Sequence, residues 1–150
     1  MYHSIVKHIA TQNFERVNNH DYNAVLKACT PDIRHRFGGH HALGGERHDR
    51  EALSRWFQRL GRLAPTLKLN VQDVWVKGWP HHTTIIIRWT ATQNLVDGSP
   101  YQNHGVHVVR MRWGKVVDID ANEDSQVVAD FLETIAARGV DEALAAPIVS

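Results

Sequence analysis

One stretch of alternating apolar and polar residues, from Leu67 to Asn122, constrains the fold more than any other feature of this sequence. It contains four segments with strand periodicity. Turn signals separate these segments: Gly78–Trp79–Pro80, Asp97–Gly98–Ser99–Pro100 and Trp113–Gly114. Short turns join neighbouring strands antiparallel, so the stretch predicts a four-stranded antiparallel meander. The parity of the alternation shifts by one within the first segment, which predicts a β-bulge near Gln72–Asp73.

Helical periodicity precedes and follows the meander. Apolar residues recur with a helical period over residues 4–18, after Asp49, and from Ser125 to the stop at Gly139. Asp21 can cap a short helix that runs through Cys29, and Ile33–Phe37 alternates as a short strand. Helices and one strand therefore come first, then the meander, then a helix. This order indicates an α+β fold with helices on one face of a curved sheet.

Length and charge narrow the class of protein. A chain of 150 residues suits one domain, and we expect residues 1–150 to form it, with a core at about 4–138 and a tail at 140–150. The formal net charge of +1 argues against a nucleic-acid or membrane-surface partner. No apolar run has the length of a membrane span and no signal peptide is evident, so we expect a cytoplasmic protein. The single cysteine, Cys29, excludes an internal disulfide and is expected to be buried and inert.

Eleven histidines raise the question of a metal site. Three of them, His40, His41 and His48, belong to a glycine-rich segment from Phe37 to His48 that we interpret as a loop at a pocket rim. Adjacent residues of an extended chain point to opposite faces, so His40 and His41 are poorly placed to bind one ion. The segment also lacks the Lys and Ser/Thr of a phosphate-binding loop. We therefore expect no metal and no cofactor.

Four segments of the chain carry a family resemblance: Asn18–Val25 (NNHDYNAV), Phe37–Leu53 (FGGHHALGGERHDREAL), Ile85–Thr90 (IIIRWT) and Arg110–Asp124 (RMRWGKVVDIDANED). In this order they resemble the SnoaL-like branch of the nuclear transport factor 2-like superfamily, which includes ketosteroid isomerases and polyketide cyclases. The resemblance implies a cone: a curved mixed or antiparallel sheet wrapped around N-terminal helices, also described as a cystatin-like roll. It also implies an internal apolar pocket and a homodimer formed through the outer sheet face.

The catalytic residues of ketosteroid isomerases are not present at the matching positions. Where those enzymes have an aspartate base, a tyrosine and a neutral aspartic acid, this chain has Phe37, Asn13 and His107. The resemblance therefore does not support the isomerase mechanism as such.

Histidines on inward strand faces are the alternative candidates for catalysis. Alternation on the penultimate strand turns His107 inward, and alternation on the first strand does the same for His35. Either would act as a general base or acid, paired with Glu123 and assisted by Asn13 as a hydrogen-bond donor. The competing interpretation is that these histidines are hydrogen-bonded core groups.

Strand and helix phase, together with the resemblance, predict which residues surround the pocket. The expected lining is Val17, Phe37, Trp56, Trp89, Val109, Ile119 and Ala121, with His40, His41 and Leu43 at the rim. Three functions remain open at this point. The protein could be a cofactor-free isomerase, cyclase or (de)hydratase of a small hydrophobic carbonyl compound, polycyclic or terpenoid-like. It could instead bind such a ligand without catalysis, or it could be a dimerisation module with an incidental cavity.

Overall fold

A computed structural model describes residues 1–150 as four α-helices, six strands and a C-terminal 3-10 turn. The helices are α1 (Tyr2–Asn18), α2 (Tyr22–Lys27), α3 (Arg50–Leu63) and α4 (Ser125–Ala136), and the 3-10 turn is Asp141–Leu144. The strands are β1 (Cys29–Phe37), β2 (Gly45–Arg47), β3 (Lys68–Trp79), β4 (His82–Asn94), β5 (Pro100–Arg112) and β6 (Lys115–Glu123). None of the helices is long and apolar enough to cross a bilayer.

All six strands form one curved sheet in the order β2–β1–β6–β5–β4–β3. Strands β3 to β6 make the predicted antiparallel meander, and β1 adds to β6 in parallel, so the sheet is mixed. The register of β3 against β4 shifts between Val71 and Asp73, which confirms the expected bulge. The predicted α+β architecture, a curved sheet with N-terminal helices, is confirmed.

The helices cover the inner face of the sheet and form the core with it. Helix α1 buries Val6, Ala10 and Phe14, whereas the strongly amphipathic α3 buries six side chains along one face. Two reciprocal hydrogen bonds fix the end of α1 to β3. Asn18 Nδ2 donates to Leu69 O at 2.9 Å, and Leu69 N donates to Asn18 Oδ1 at 2.8 Å.

Two boundary predictions near the first strand were wrong. The second helix ends at Lys27, and Cys29 is the first residue of β1. Pro31 therefore lies inside a strand, where it has no N–H to donate, and the pairing of β1 with β6 is irregular between Cys29 and Arg34. The segment from Phe37 to His48 is also not a continuous loop, because Gly45–Arg47 forms β2 and pairs with the end of β1.

The cap of the last helix also differs from the prediction. Asp124, and not Ser125, is the N-cap residue of α4, and its carboxylate accepts hydrogen bonds from the backbone N–H groups of Gln126 and Val127. The helix ends at Ala136, and Gly139 follows with a φ of 95°. A side-chain oxygen at the N-cap satisfies N–H groups that have no partner within the helix.

Leu53 of α3 provides a test of the core, since it is fully buried. We expect Leu53→Ala to lower the free energy of unfolding by about 2–5 kcal/mol, because the truncated side chain leaves a cavity. Leu144→Ala is the matched control, because Leu144 is 71% exposed. Urea unfolding followed by circular dichroism measures both changes. Equal losses in the two variants would contradict the packing described.

Candidate active site

An apolar cavity of about 140 Å³ lies between the helices and the inner face of the sheet. Its wall contains no Asp, Glu, Lys or Arg side chain. The polar side chains that reach it include Asn13 from α1, His35 from β1 and His107 from β5. Because apolar walls screen charge poorly, each of these groups has a strong influence on what the cavity can hold.

The residues expected around the pocket divide into two groups. The cavity wall includes Val17, Phe37, Trp56, Trp89, Val109, Ile119 and Leu43. Ala121 is absent from the wall although it is fully buried. It is the register partner of both Phe37 and His107, so its short side chain lies between larger neighbours on the same face. His40 is exposed, and neither it nor His41 lines the cavity.

His107 projects from β5 and is held by a neighbouring tryptophan. The indole Nε1–H of Trp89 donates to His107 Nδ1 at 2.7 Å, and the ring of Phe14 packs edge-on at 5.2 Å between centroids. An indole N–H can only donate, so Nδ1 is the acceptor and the neutral ring has its proton on Nε2. Burial lowers the pKa of His107 to about 4.

His35 has the same arrangement with a different donor. A guanidinium N–H of Arg47 donates to His35 Nδ1 at 2.8 Å, so this ring also has its proton on Nε2. Trp56 packs against it with ring centroids 4.6 Å apart. The pKa of His35 lies well below its ordinary value. Burial is the largest cause, followed by the charge of Arg47 and then by the interaction with His107.

Both imidazoles are therefore hydrogen-bond donors toward the cavity. In each ring Nδ1 is already an acceptor, and Nε2 carries the proton and has no partner in the protein. Protonation at Nδ1 would set two donors against each other, so the neutral form is retained. This geometry favours a donating role over the general-base role expected from the sequence.

The expected pairing of a histidine with Glu123 is not made. The carboxylate of Glu123 accepts from Gly38 N at 3.3 Å and from Ser125 Oγ at 2.9 Å, and it does not line the cavity. Burial raises its pKa. Glu123 therefore connects the glycine-rich segment to the start of α4, because it is the last residue of β6 and lies directly before the N-cap of that helix.

Asn13 brings a side-chain amide to the cavity wall. It lines the cavity, and its Oδ1 accepts from Arg16 at 2.9 Å on the same helix. This bond orients the amide, and Nδ2 has no partner in the protein. Asn13 can therefore provide a third neutral donor beside the two histidines.

Two residues of the glycine-rich segment, Phe37 and Leu43, reach the wall of the cavity. Leu43 O accepts from Trp56 Nε1 at 2.8 Å, which fixes the segment to the cavity wall. His41 Nδ1 accepts from Leu43 N at 3.2 Å, and its Nε2 is buried without a partner. Gly39 has a φ of 96°, which favours glycine, and a Cβ there would also lie 2.5 Å from that Nε2. No three His, Cys, Asp or Glu side chains come together as a metal site would require.

Arg47 is the functional residue that sequence reasoning missed. It is fully buried at the end of β2, where its guanidinium also donates to Gly44 O at 2.8 Å and to Ile148 O at 2.9 Å. In the sequence it stands among Glu46, His48 and Asp49, a polar run that resembles an exposed loop. Arg47 could have been identified only by predicting the strand β2. The pairing of β2 with β1 makes Arg47 the register partner of His35.

The Trp89–His107 bond generates a test of the tautomer. In ¹⁵N NMR spectra we expect His107 to titrate near pH 4 and to carry its proton on Nε2 above that pH. We expect Trp89→Phe to raise the pKa of His107, because Nδ1 becomes free to take a proton. The exposed Trp113 provides the control Trp113→Phe, which leaves this signal unchanged.

The lowered pKa of His107 also predicts how the free energy of unfolding depends on pH. The folded-state pKa of His107 lies below the ordinary value of 6.5, so the unfolded chain binds the proton more readily. The contribution of His107 to stability is therefore complete above pH 6.5 and is lost as the pH falls toward 4. A wild-type His107 that titrates at the ordinary value would contradict the geometry described above.

Comparisons with known proteins were made on sequence and on structure. The chain matches the SnoaL-like domain family over residues 10–119. A search of curated proteins finds no significant match. Among solved structures, PrhC from Penicillium brasilianum is similar with a TM-score of 0.79 at 15% identity, covering 96% of each chain.

Two further solved structures have the same fold. TerC, co-crystallised with polyporic acid, has a TM-score of 0.63 at 16% identity, over 91% of this chain and 97% of TerC. A candidate polyketide cyclase from Xanthomonas campestris has a TM-score of 0.53 at 17% identity, over 72% and 82%. At these identities the likeness shows the fold alone. The family match, which covers most of the chain, shows that this protein belongs to the SnoaL-like family.

Proposed function

We propose that this protein binds a small hydrophobic carbonyl compound in its cavity and polarises the carbonyl through His35 and His107. One observation carries the proposal. In His35 and in His107, Nδ1 accepts from a group that can only donate, so each neutral ring offers its Nε2–H to a cavity whose wall has no charged side chain. A carbonyl oxygen is the ligand atom that such donors fit, because it accepts two hydrogen bonds.

The proposed chemistry follows from where charge develops. Enolisation, aldol-type ring closure and dehydration all place negative charge on a carbonyl oxygen, and preorganised N–H donors stabilise that charge. The apolar walls strengthen each hydrogen bond. The reaction class we propose is cofactor-free isomerisation, cyclisation or (de)hydration. The family match supports this class, as does a fold neighbour described as a candidate polyketide cyclase.

The volume of the cavity limits the ligand. About 140 Å³ is close to the roughly 150 Å³ of an engineered apolar cavity that binds benzene. A ligand of about one ring therefore fits without rearrangement. A polycyclic ligand requires wall side chains to move apart. The fold neighbour TerC was co-crystallised with polyporic acid.

A second candidate function is binding without turnover. It is favoured by the wall of the cavity, which contains no carboxylate or other strong base to remove a proton. The two candidates differ in one measurable property. An enzyme of the proposed class accelerates exchange of the hydrogens beside the carbonyl, whereas a binding protein does not.

We propose ligand titrations that separate the polar contacts from the apolar ones. Acetophenone and its hydrocarbon analogue ethylbenzene are titrated while fluorescence of the cavity tryptophans, Trp56 and Trp89, is followed. We expect His107→Phe to weaken acetophenone binding roughly tenfold, which is the loss of one buried hydrogen bond, and to leave ethylbenzene binding little changed. His104→Phe is the matched control, because His104 is exposed on the same strand.

Two outcomes of these titrations are decisive. Binding of neither compound would overturn the proposed function, and equal losses for both in His107→Phe would overturn the role of that ring. NMR detection of deuterium exchange at the methyl group of acetophenone then separates the two candidates. Exchange accelerated by wild type, and less by His107→Phe, supports an enzyme, whereas binding without acceleration supports a binding protein.

We also propose that the outer face of the sheet forms a homodimer. Trp75 and its register partner Ile86 are both exposed, at 51% and 38%, and Val108 continues the apolar patch on β5. Exposed apolar side chains that adjoin one another favour an interface.

The proposed dimer predicts a change of mass when the patch is charged. We expect Trp75→Glu to convert a dimer to a monomer in sedimentation velocity, because the interface would bury a carboxylate without a partner. Trp79→Glu on the same strand is the control, since Trp79 is also exposed but lies at the end of the sheet. A monomeric wild type would contradict the proposal.

A further inference from the structure

A buried guanidinium without a carboxylate partner lies directly behind His35. The side chain of Arg47 donates to His35 Nδ1, to Gly44 O and to Ile148 O, and its guanidinium carbon lies 5.6 Å from the centre of the Trp56 ring. All of these partners are neutral. Arg47 takes part in none of the salt bridges of the molecule.

The two charged side chains that shift the pKa of Arg47, Glu46 and Arg59, are already paired with other groups. Glu46 binds Arg34 and His48, and Glu142 binds both Arg59 and Arg62. The pKa of Arg47 is lowered to about 10, mainly by burial and also by the charge of Arg59, while the charge of Glu46 opposes this shift. Arg47 is therefore a cation at neutral pH, and no anion of the protein lies in contact with it.

A buried charge that only neutral groups solvate favours an anion that comes within its reach. Arg47 does not line the cavity, but His35 does, and the hydrogen bond between them joins the two. Donation from a cation to Nδ1 polarises the imidazole and strengthens its Nε2–H as a donor. The end of the cavity at His35 therefore has a positive potential, although no charged side chain lines it.

We propose that the ligand oxygen held by His35 is an anion, so that the site selects an enolate or phenolate over the neutral compound. Arg47 sets this preference as a positioning residue that acts through His35. The inference rests on the proposed function, and it adds the charge state of the ligand and the residue that determines it. Trp89, the corresponding donor to His107, is neutral and provides no such preference.

The surroundings of Arg47 keep its side chain in one place and also provide a matched control. Gly44 belongs to the glycine-rich rim and Ile148 to the C-terminal segment, so the guanidinium joins both to His35. Arg59 joins the same two segments through Ala42 O and Ala146 O, each at 2.9 Å, but has no bond to His35. Substituting Arg59 removes a cation from this region without breaking the link to the cavity.

The test uses 4-nitrophenol, a one-ring compound whose absorption changes when it ionises near neutral pH. An apolar cavity without a charge behind it would raise the pKa of a bound phenol, because burial disfavours the anion. We expect wild type to lower the pKa of bound 4-nitrophenol by about one unit, a tenfold preference for the phenolate. We expect Arg47→Met to abolish this shift and Arg59→Met to retain it.

A second comparison needs no variant, in case Arg47→Met does not fold. Above the pKa of the free phenol, wild type should bind 4-nitrophenolate at least tenfold more tightly than 4-nitroanisole, its uncharged methyl ether. Equal or tighter binding of the ether, or an unshifted or raised pKa of the bound phenol, would overturn the inference and leave the proposed function intact. Binding of neither compound would overturn both.

Discussion

The parallel pairing of β1 with β6 is the contact on which the site depends. It is the only parallel pair in the sheet, and it joins an early strand to the end of the meander. Its register places His35 beside Ile119 and Phe37 beside Ala121, while Ala121 in turn pairs with His107 on β5. Two imidazoles that stand 72 positions apart in the sequence thereby reach one face of the sheet, two strands from each other.

In this cavity the hydrogen-bond partner of each buried histidine determines what that histidine can do. Each histidine would be costly in an apolar interior without a partner. Trp89 and Arg47 remove that cost at Nδ1, and the same bonds leave the Nε2–H groups directed to the cavity. The two partners differ in charge, and this difference makes the two imidazole donors of an uncharged wall chemically distinct.

Periodicity was informative wherever one face of an element is buried. It predicted the meander, the bulge at Val71–Asp73 and the inward faces of His35 and His107, because alternation records burial directly. It could not predict the short strand β2, since three residues contain too little pattern. The expected pairing of Glu123 with a histidine was wrong, because its carboxylate meets Gly38 and Ser125 at the edge of the cone.

The sequence by itself determined the order of the elements, the mixture of helix and sheet, and the inward faces of His35 and His107. Local propensity and alternation contain this information, since they depend on neighbours within a few residues. Only the tertiary structure decided which atom of each imidazole is free and that Arg47 is buried. Those properties depend on bonds from Arg47 to His35 and Ile148 and from Trp89 to His107, all of which join different segments of the chain. No local pattern in the sequence predicts such contacts, because they form only when the strands have assembled into the sheet.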